Sequence, residues 1–227
     1  MSGNFKRAIA SFLISTLVYC LPAAPAAPAT AGGPADEARE QNRIGIALQT
    51  RGKLAEAAEA YRRAIRLNPQ GAGYHNNLAL VLKDMGELDA AEQEARIALK
   101  LKPNRADYHF NLGVIFQRQN RLEEAAAKFK EAAGMDALDP EFRYRLALVL
   151  MQLGKPVECE QEIKIALLLK PADSQYHKLL GDSLLQQGRH EEALYEFRKV
   201  LELTANPPDI GDIRNKIDYL RQVLKVP

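Results

Sequence analysis

Tryptophan is absent from this chain, and cysteine nearly so, with two among 227 residues. Two cysteines cannot staple a small scaffold, so the fold must rest on an apolar core. A dominant charge is also missing: 31 Lys and Arg stand against 29 Asp and Glu. Every acidic residue, and every basic one except Lys6 and Arg7, follows residue 31, so that remainder is electrically balanced. Such balance argues against nucleic-acid binding by bulk charge. The uncharged apolar run Ala8 to Leu21 is shorter than the roughly 20 residues a membrane-spanning helix needs. No Gly-x-Ser-x-Gly, phosphate-cradling glycine loop or His-Glu-x-x-His occurs, so no catalytic motif is present and a non-enzyme is expected. Pairs such as Glu123-Glu124 and Glu191-Glu192 open helices, where negative charge suits the helix dipole. What is there is ordinary for a soluble globular protein: 47% hydrophobic and 26% charged residues.

Residues 1–31 have the form of a secretory signal. Lys6 and Arg7 precede the apolar run, Pro22 ends it, and Ala29-Thr30-Ala31 fits a small-x-small cleavage pattern. A retained membrane anchor is the rival reading. Acylation at Cys20 is disfavoured, because Tyr19 occupies a place that needs a small residue. The expectation is export, to a periplasm or beyond if the host is bacterial, with no membrane insertion after signal removal. Residues 32–37 are expected to be a linker. Only Cys159 would then remain, unable to form an intrachain disulfide, and its sequence context predicts burial.

From residue 38 a period of 34 residues organises the chain. Ile44-Gly45, Leu78-Ala79, Leu112-Gly113, Leu146-Ala147 and Leu180-Gly181 recur in phase. Gly52, Gly86, Asn120, Gly154 and Gly188 follow at turns that want positive φ. The small residues Ala57, Ala91, Ala125, Cys159 and Ala193 come next, then Tyr61, Ala95, Phe129, Ile163 and Phe197. Ala64, Ala98, Ala132, Ala166 and Val200 lie three positions on, and Pro69, Pro103 and Pro171 close three units. Each unit thus carries two blocks with helical spacing around a tight turn.

This pattern resembles the tetratricopeptide repeat, over five units at 38–71, 72–105, 106–139, 140–173 and 174–207. The resemblance implies an all-α, right-handed α-solenoid of five helix hairpins. It departs from the family at the bulky fourth position, held here by Gln41, His75, His109, Arg143 and His177. Residues 208–227 add an amphipathic stripe of Ile210, Ile213, Ile217, Leu220 and Leu224, expected to be a C-terminal capping helix. The three histidines invite a metal reading. Equivalent positions on packed helices start roughly 8–10 Å apart, too far for one ion. No metal and no cofactor is expected.

The resemblance further implies that first helices line a concave face along which ligands lie. Helical geometry places unit positions 5, 6, 9 and 12 on one side. The candidate peptide-binding residues are Asn42, Arg43, Asn76, Asn77, Leu80, Lys83, Phe110, Asn111, Val114, Gln117, Tyr144, Arg145 and Leu148. Asparagine amides can bond any peptide backbone. Arg43 and Arg145 suit carboxylates, Phe110 and Tyr144 offer rigid apolar area, and Ile46, Leu80, Val114 and Leu148 make a floor. The competing reading is that the asparagines tie neighbouring first helices together. Of a chaperone-tail clamp only Asn111 and Arg145 match, and Glu141 carries the wrong sign for it. The functional expectation is an exported adaptor that binds a peptide segment of a protein partner, in cell-envelope or secretion-related assembly. The alternative is a structural protein that self-assembles or tethers subunits through its ends or convex face.

Overall fold

The computed structural model describes residues 33–204 and 210–226, most of them in helices joined by short turns. The expected signal segment lies outside the described residues. In chain order the helices are α1 (Pro34–Thr50), α2 (Leu54–Leu67), α3 (Ala72–Met85), α4 (Leu88–Leu101), α5 (Ala106–Arg118) and α6 (Leu122–Met135). They continue with α7 (Pro140–Gln152), α8 (Pro156–Leu169), α9 (Ser174–Gln186), α10 (His190–Leu203) and α11 (Ile210–Leu224). Each odd helix packs on the even helix after it, and each even helix on the odd one that follows. This is an α-solenoid of five hairpins closed by a sixth-position helix.

One turn chemistry recurs inside every hairpin. Gly52, Gly86, Gly154 and Gly188 have φ between 69° and 84°, and Asn120 has φ 59°. The left-handed residue lets the next backbone N–H reach back five residues. Lys53 donates to Leu48 at 3.0 Å, Glu87 to Leu82 at 2.9 Å and Arg121 to Phe116 at 2.9 Å. Lys155 donates to Leu150 at 2.9 Å and Arg189 to Leu184 at 3.0 Å. The turn therefore satisfies carbonyls that the helix end would leave unpaired.

Within a hairpin, the two helices approach through a size match. A Cβ on Gly113 would stand 2.8 Å from the Phe129 ring, one on Gly181 2.8 Å from Phe197, and one on Gly45 2.5 Å from Tyr61. Glycine here makes room for an aromatic ring from the partner helix. At the same two positions the other units pair Ala79 with Ala95 and Ala147 with Ile163. All five partners on the second helix are buried.

One feature differs from sequence expectation in detail. The first helix begins at Pro34, inside the stretch read as a linker. Proline is accepted in a first turn, and Asp36 and Glu37 there favour the helix dipole. At the other end α11 packs on α10 through buried Ile213, Ile217 and Leu220. Lys216 joins it to α9 through a 2.7 Å ion pair with Asp182. Cys159 is fully buried, and burial pushes its thiol up to about 12, which makes it unreactive.

Polar clamps bind one unit to the next. Glu92 on α4 accepts from Gln119 and Arg121 at the following hairpin turn, at 3.1 and 2.5 Å. Sixty-eight residues on, at the same register, Glu160 on α8 accepts from Gln187 at 2.9 Å and Arg189 at 2.6 Å. The shared fourth position makes a second set. His75 Nε2 donates to the Pro69 carbonyl at 3.0 Å, His109 to Pro103 at 2.8 Å and His177 to Pro171 at 2.9 Å. Each ring thus reaches from a first helix to the end of the preceding unit. The Nδ1 atoms of His75 and His177 lie 2.6 Å from Glu94 and Glu196 on the paired second helix. Arg143 does the same with Glu162 at 2.7 Å.

Candidate functional site

Neighbouring first helices come close enough to touch, α1 with α3, α3 with α5 and α7 with α9, and no pair of second helices does so to the same extent. The array therefore curves with the first helices inside. Their inner side carries the candidate residues, and three kinds of contact run across it.

Amides make the first kind. Asn77 donates to Asn42 at 2.9 Å, and Asn111 donates to Asn76 at 2.8 Å. Gln117 donates to Gln152 at 3.3 Å. Each bond joins residues 35 apart, so each ties one first helix to the next. Asn76 is buried by this arrangement, while Asn42, Asn77 and Asn111 stay half-buried. A primary amide has two hydrogens and an acceptor oxygen, so one bond of this type leaves bonding capacity. The asparagines are thus a ladder between helices first.

Rings make the second kind. Phe110 packs between Phe129 and Phe142, with centroids at 5.5 and 5.0 Å. Tyr144 lies on Tyr176 at 4.8 Å. Burial pushes the phenols of Tyr144 and Tyr176 up, the latter to about 12, so both stay neutral. Phe110 and Tyr144 stay half-buried on the wall, while Phe129, Phe142 and Tyr176 are buried behind them.

Charges make the third kind, and each cation of the set already has a carboxylate. Arg43 bonds Glu40 at 3.1 Å, Arg145 Nε bonds Glu141 at 2.7 Å, and Lys83 lies 3.2 Å from Asp84. Arg145 keeps its two terminal nitrogens beyond that bond. Arg118, outside the predicted set, donates to the Lys83 carbonyl at 3.1 Å. Between these rows run Leu80, Val114 and Leu148, half-buried, with Ile46 exposed at the first-unit end.

Sequence reasoning did not single out Gln152, Phe142 or Tyr176 as partners of this wall, nor the tie between Asp182 and the cap. The signal was available: adding 35 to an amide position, or 32 to a ring position, names the residue it meets on the next first helix. The histidines, singled out by sequence, point to the unit junctions and bond proline carbonyls. Among the described residues, no three His, Cys, Asp or Glu side chains are placed to hold a metal ion. No helix among the described residues is long and apolar enough to cross a membrane.

Comparison with known proteins gives a consistent relationship. No curated protein sequence matches the chain. Among solved structures, PilF of Pseudomonas aeruginosa is similar, with a TM-score of 0.69 at 23% identity over 86% of this chain and 93% of that one. MamA from Desulfovibrio magneticus RS-1 has a TM-score of 0.69 at 21% identity, over 74% of this chain and 95% of its own. YrrB, described as a TPR protein with an unusual peptide-binding site, has a TM-score of 0.66 at 17% identity, over 75% and 88%. At such identities the likeness concerns the fold. Tetratricopeptide-repeat family models match residues 45–86, 76–141, 117–182 and 174–207, an unbroken stretch. With its 34-residue period, its glycine-turned hairpins and their serial packing, the chain belongs to the tetratricopeptide repeat family.

Proposed function

We propose that this protein is a non-catalytic adaptor that holds a peptide segment of a partner protein along the inner wall of first helices. The observation that carries this reading is the apolar row at position 9. Leu80, Val114 and Leu148 remain partly open on the wall, whereas the neighbouring rows at positions 7 and 11 are packed away in the interior units. A half-open apolar row flanked by amides and by Arg145 suits an extended or helical segment with an acidic group. The peptide-binding site named for YrrB is support from the same fold. Export, and work in cell-envelope or secretion-related assembly, rest on the segment 1–31 of the sequence.

The test is site-specific photocrosslinking in cells. A photoreactive amino acid at Leu80 or Leu148 should capture a partner protein, and the same group at Lys130 on α6 should not. Arg145→Ala should lower the yield at both wall positions. Capture confined to the α6 position defeats the proposal. Cell fractionation with the mass of the mature N-terminus decides export separately.

A further inference from the structure

The two ends of the array are chemically unlike. In the interior units, positions 7 and 11 are covered by the preceding unit, and Leu78, Leu82, Leu112 and Phe116 are each no more than 2% exposed. The first unit has no hairpin before it in the repeat. There Ile44 is 38% exposed and Leu48 half-buried. With Ala55 and Ala60 they floor a groove of about 520 Å³ between α1 and α2. The last unit is covered instead by α11, which exposes Asn215, Asp218 and Gln222 together with Tyr219 and Val223. One end is covered by an added helix, and the other presents its own apolar groove.

Charge at the rim of the bare end points to the occupant. Glu59 and Arg63 both line the groove, one helical turn apart on α2, and both are exposed. Glu59 also accepts from Arg62 at 3.0 Å, an exposed pair that a second copy can share or replace. Two copies related by a two-fold axis that crosses α2 between these residues place Glu59 of each opposite Arg63 of the other. The apolar floors then meet around Ile44 and Leu48. An isologous contact needs a patch that complements itself, and an acid and a base of opposite sign on either side of an apolar centre meet that need. We infer that the protein pairs with a second copy of itself through this N-terminal face. The inference is independent of the inner-wall reading, since position 7 and position 9 lie on different sides of the first helices.

Sedimentation velocity of the full chain across a wide concentration range tests it. A monomer–dimer equilibrium is expected, and Ile44→Glu should weaken dimerisation by about tenfold or more by placing a charge in the buried centre. Glu59→Arg and Arg63→Glu should each weaken it, and the two together should restore it, because swapping both signs preserves a two-fold match. All three residues are exposed, and unchanged helicity by circular dichroism separates lost contact from lost fold. A monomer at every concentration overturns the inference. So does association that Ile44→Glu leaves intact, or a double swap that fails to rescue, the result expected for an unrelated partner surface. Arg145→Ala leaves dimerisation unchanged if the two readings are separate.

Discussion

At the scale of single residues, the repeat is a set of size matches and buried charges. Gly113→Ala forces a methyl against the buried Phe129 ring at 2.8 Å. Overpacking of this kind should cost about 1–3 kcal/mol, read as a lower urea midpoint. Gly134→Ala is the control: nothing lies within 4 Å of its Cβ position, and it sits in the last turn of α6, where the helix-propensity gain is at its smallest. It should stabilise by at most the lower end of about 0.5–1 kcal/mol through helix propensity. Glu160 answers a different question. Burial alone would raise its carboxyl, but hydrogen bonds from Lys164, Arg189 and Gln187 more than offset this and bring it to about 2. A folded value below the ordinary 4.5 means stability that is complete above 4.5 and lost as pH falls towards 2. Glu160→Gln should remove that acid dependence and cost about 2–3 kcal/mol at neutral pH. His75 has the opposite sign. The hydrogen bond to Glu94 raises it above 6.5, burial opposes that, and the Pro69 carbonyl adds to it. A raised folded value gives stability that is full below 6.5 and lost as pH climbs through the folded value. An NMR titration should place the His75 midpoint above 6.5, and His75→Gln should flatten the stability profile on that side of neutrality.

At the scale of elements, α11 stands where a sixth first helix would. Its buried row of Ile213, Ile217 and Leu220 was legible in the sequence as spacing, and so were the ten helices before it. The start of α1 was not, because a proline-led turn with two acids reads equally as linker or as helix until packing on α2 is known. Ile217→Asp should unseat the cap at a cost of about 2–4 kcal/mol. In a solenoid each unit contacts only its neighbours. Amide exchange should therefore accelerate in α9 and α10 and change little in α3 to α5. A uniform loss of protection along the chain would show that the array behaves as one cooperative block instead.

At the scale of the whole molecule, the unlike ends set a gradient. The bare first unit lacks the burial that α11 provides at the far end, so α1 and α2 should exchange faster than α9 and α10 in dilute solution. That difference should shrink as concentration rises if the N-terminal faces pair. The period, the turn residues and the small-to-large matches are all local or separated by one unit, so the sequence alone determined the family and its helices. It also put the candidate wall residues on one side of their helices, since a helix fixes which residues share a face. Their partners follow a fixed offset along the chain, but whether the pairs close was beyond it. Whether Asn77 awaits a ligand or bonds Asn42 depends on the distance between adjacent first helices. That distance follows from how the hairpins stack on one another, a packing outcome that no single helix encodes. The exposure of Ile44 is likewise a fact about how α1 and α2 pack. Exposure belongs to the assembled stack, which is why only the tertiary structure could tell a covered leucine row from an open one.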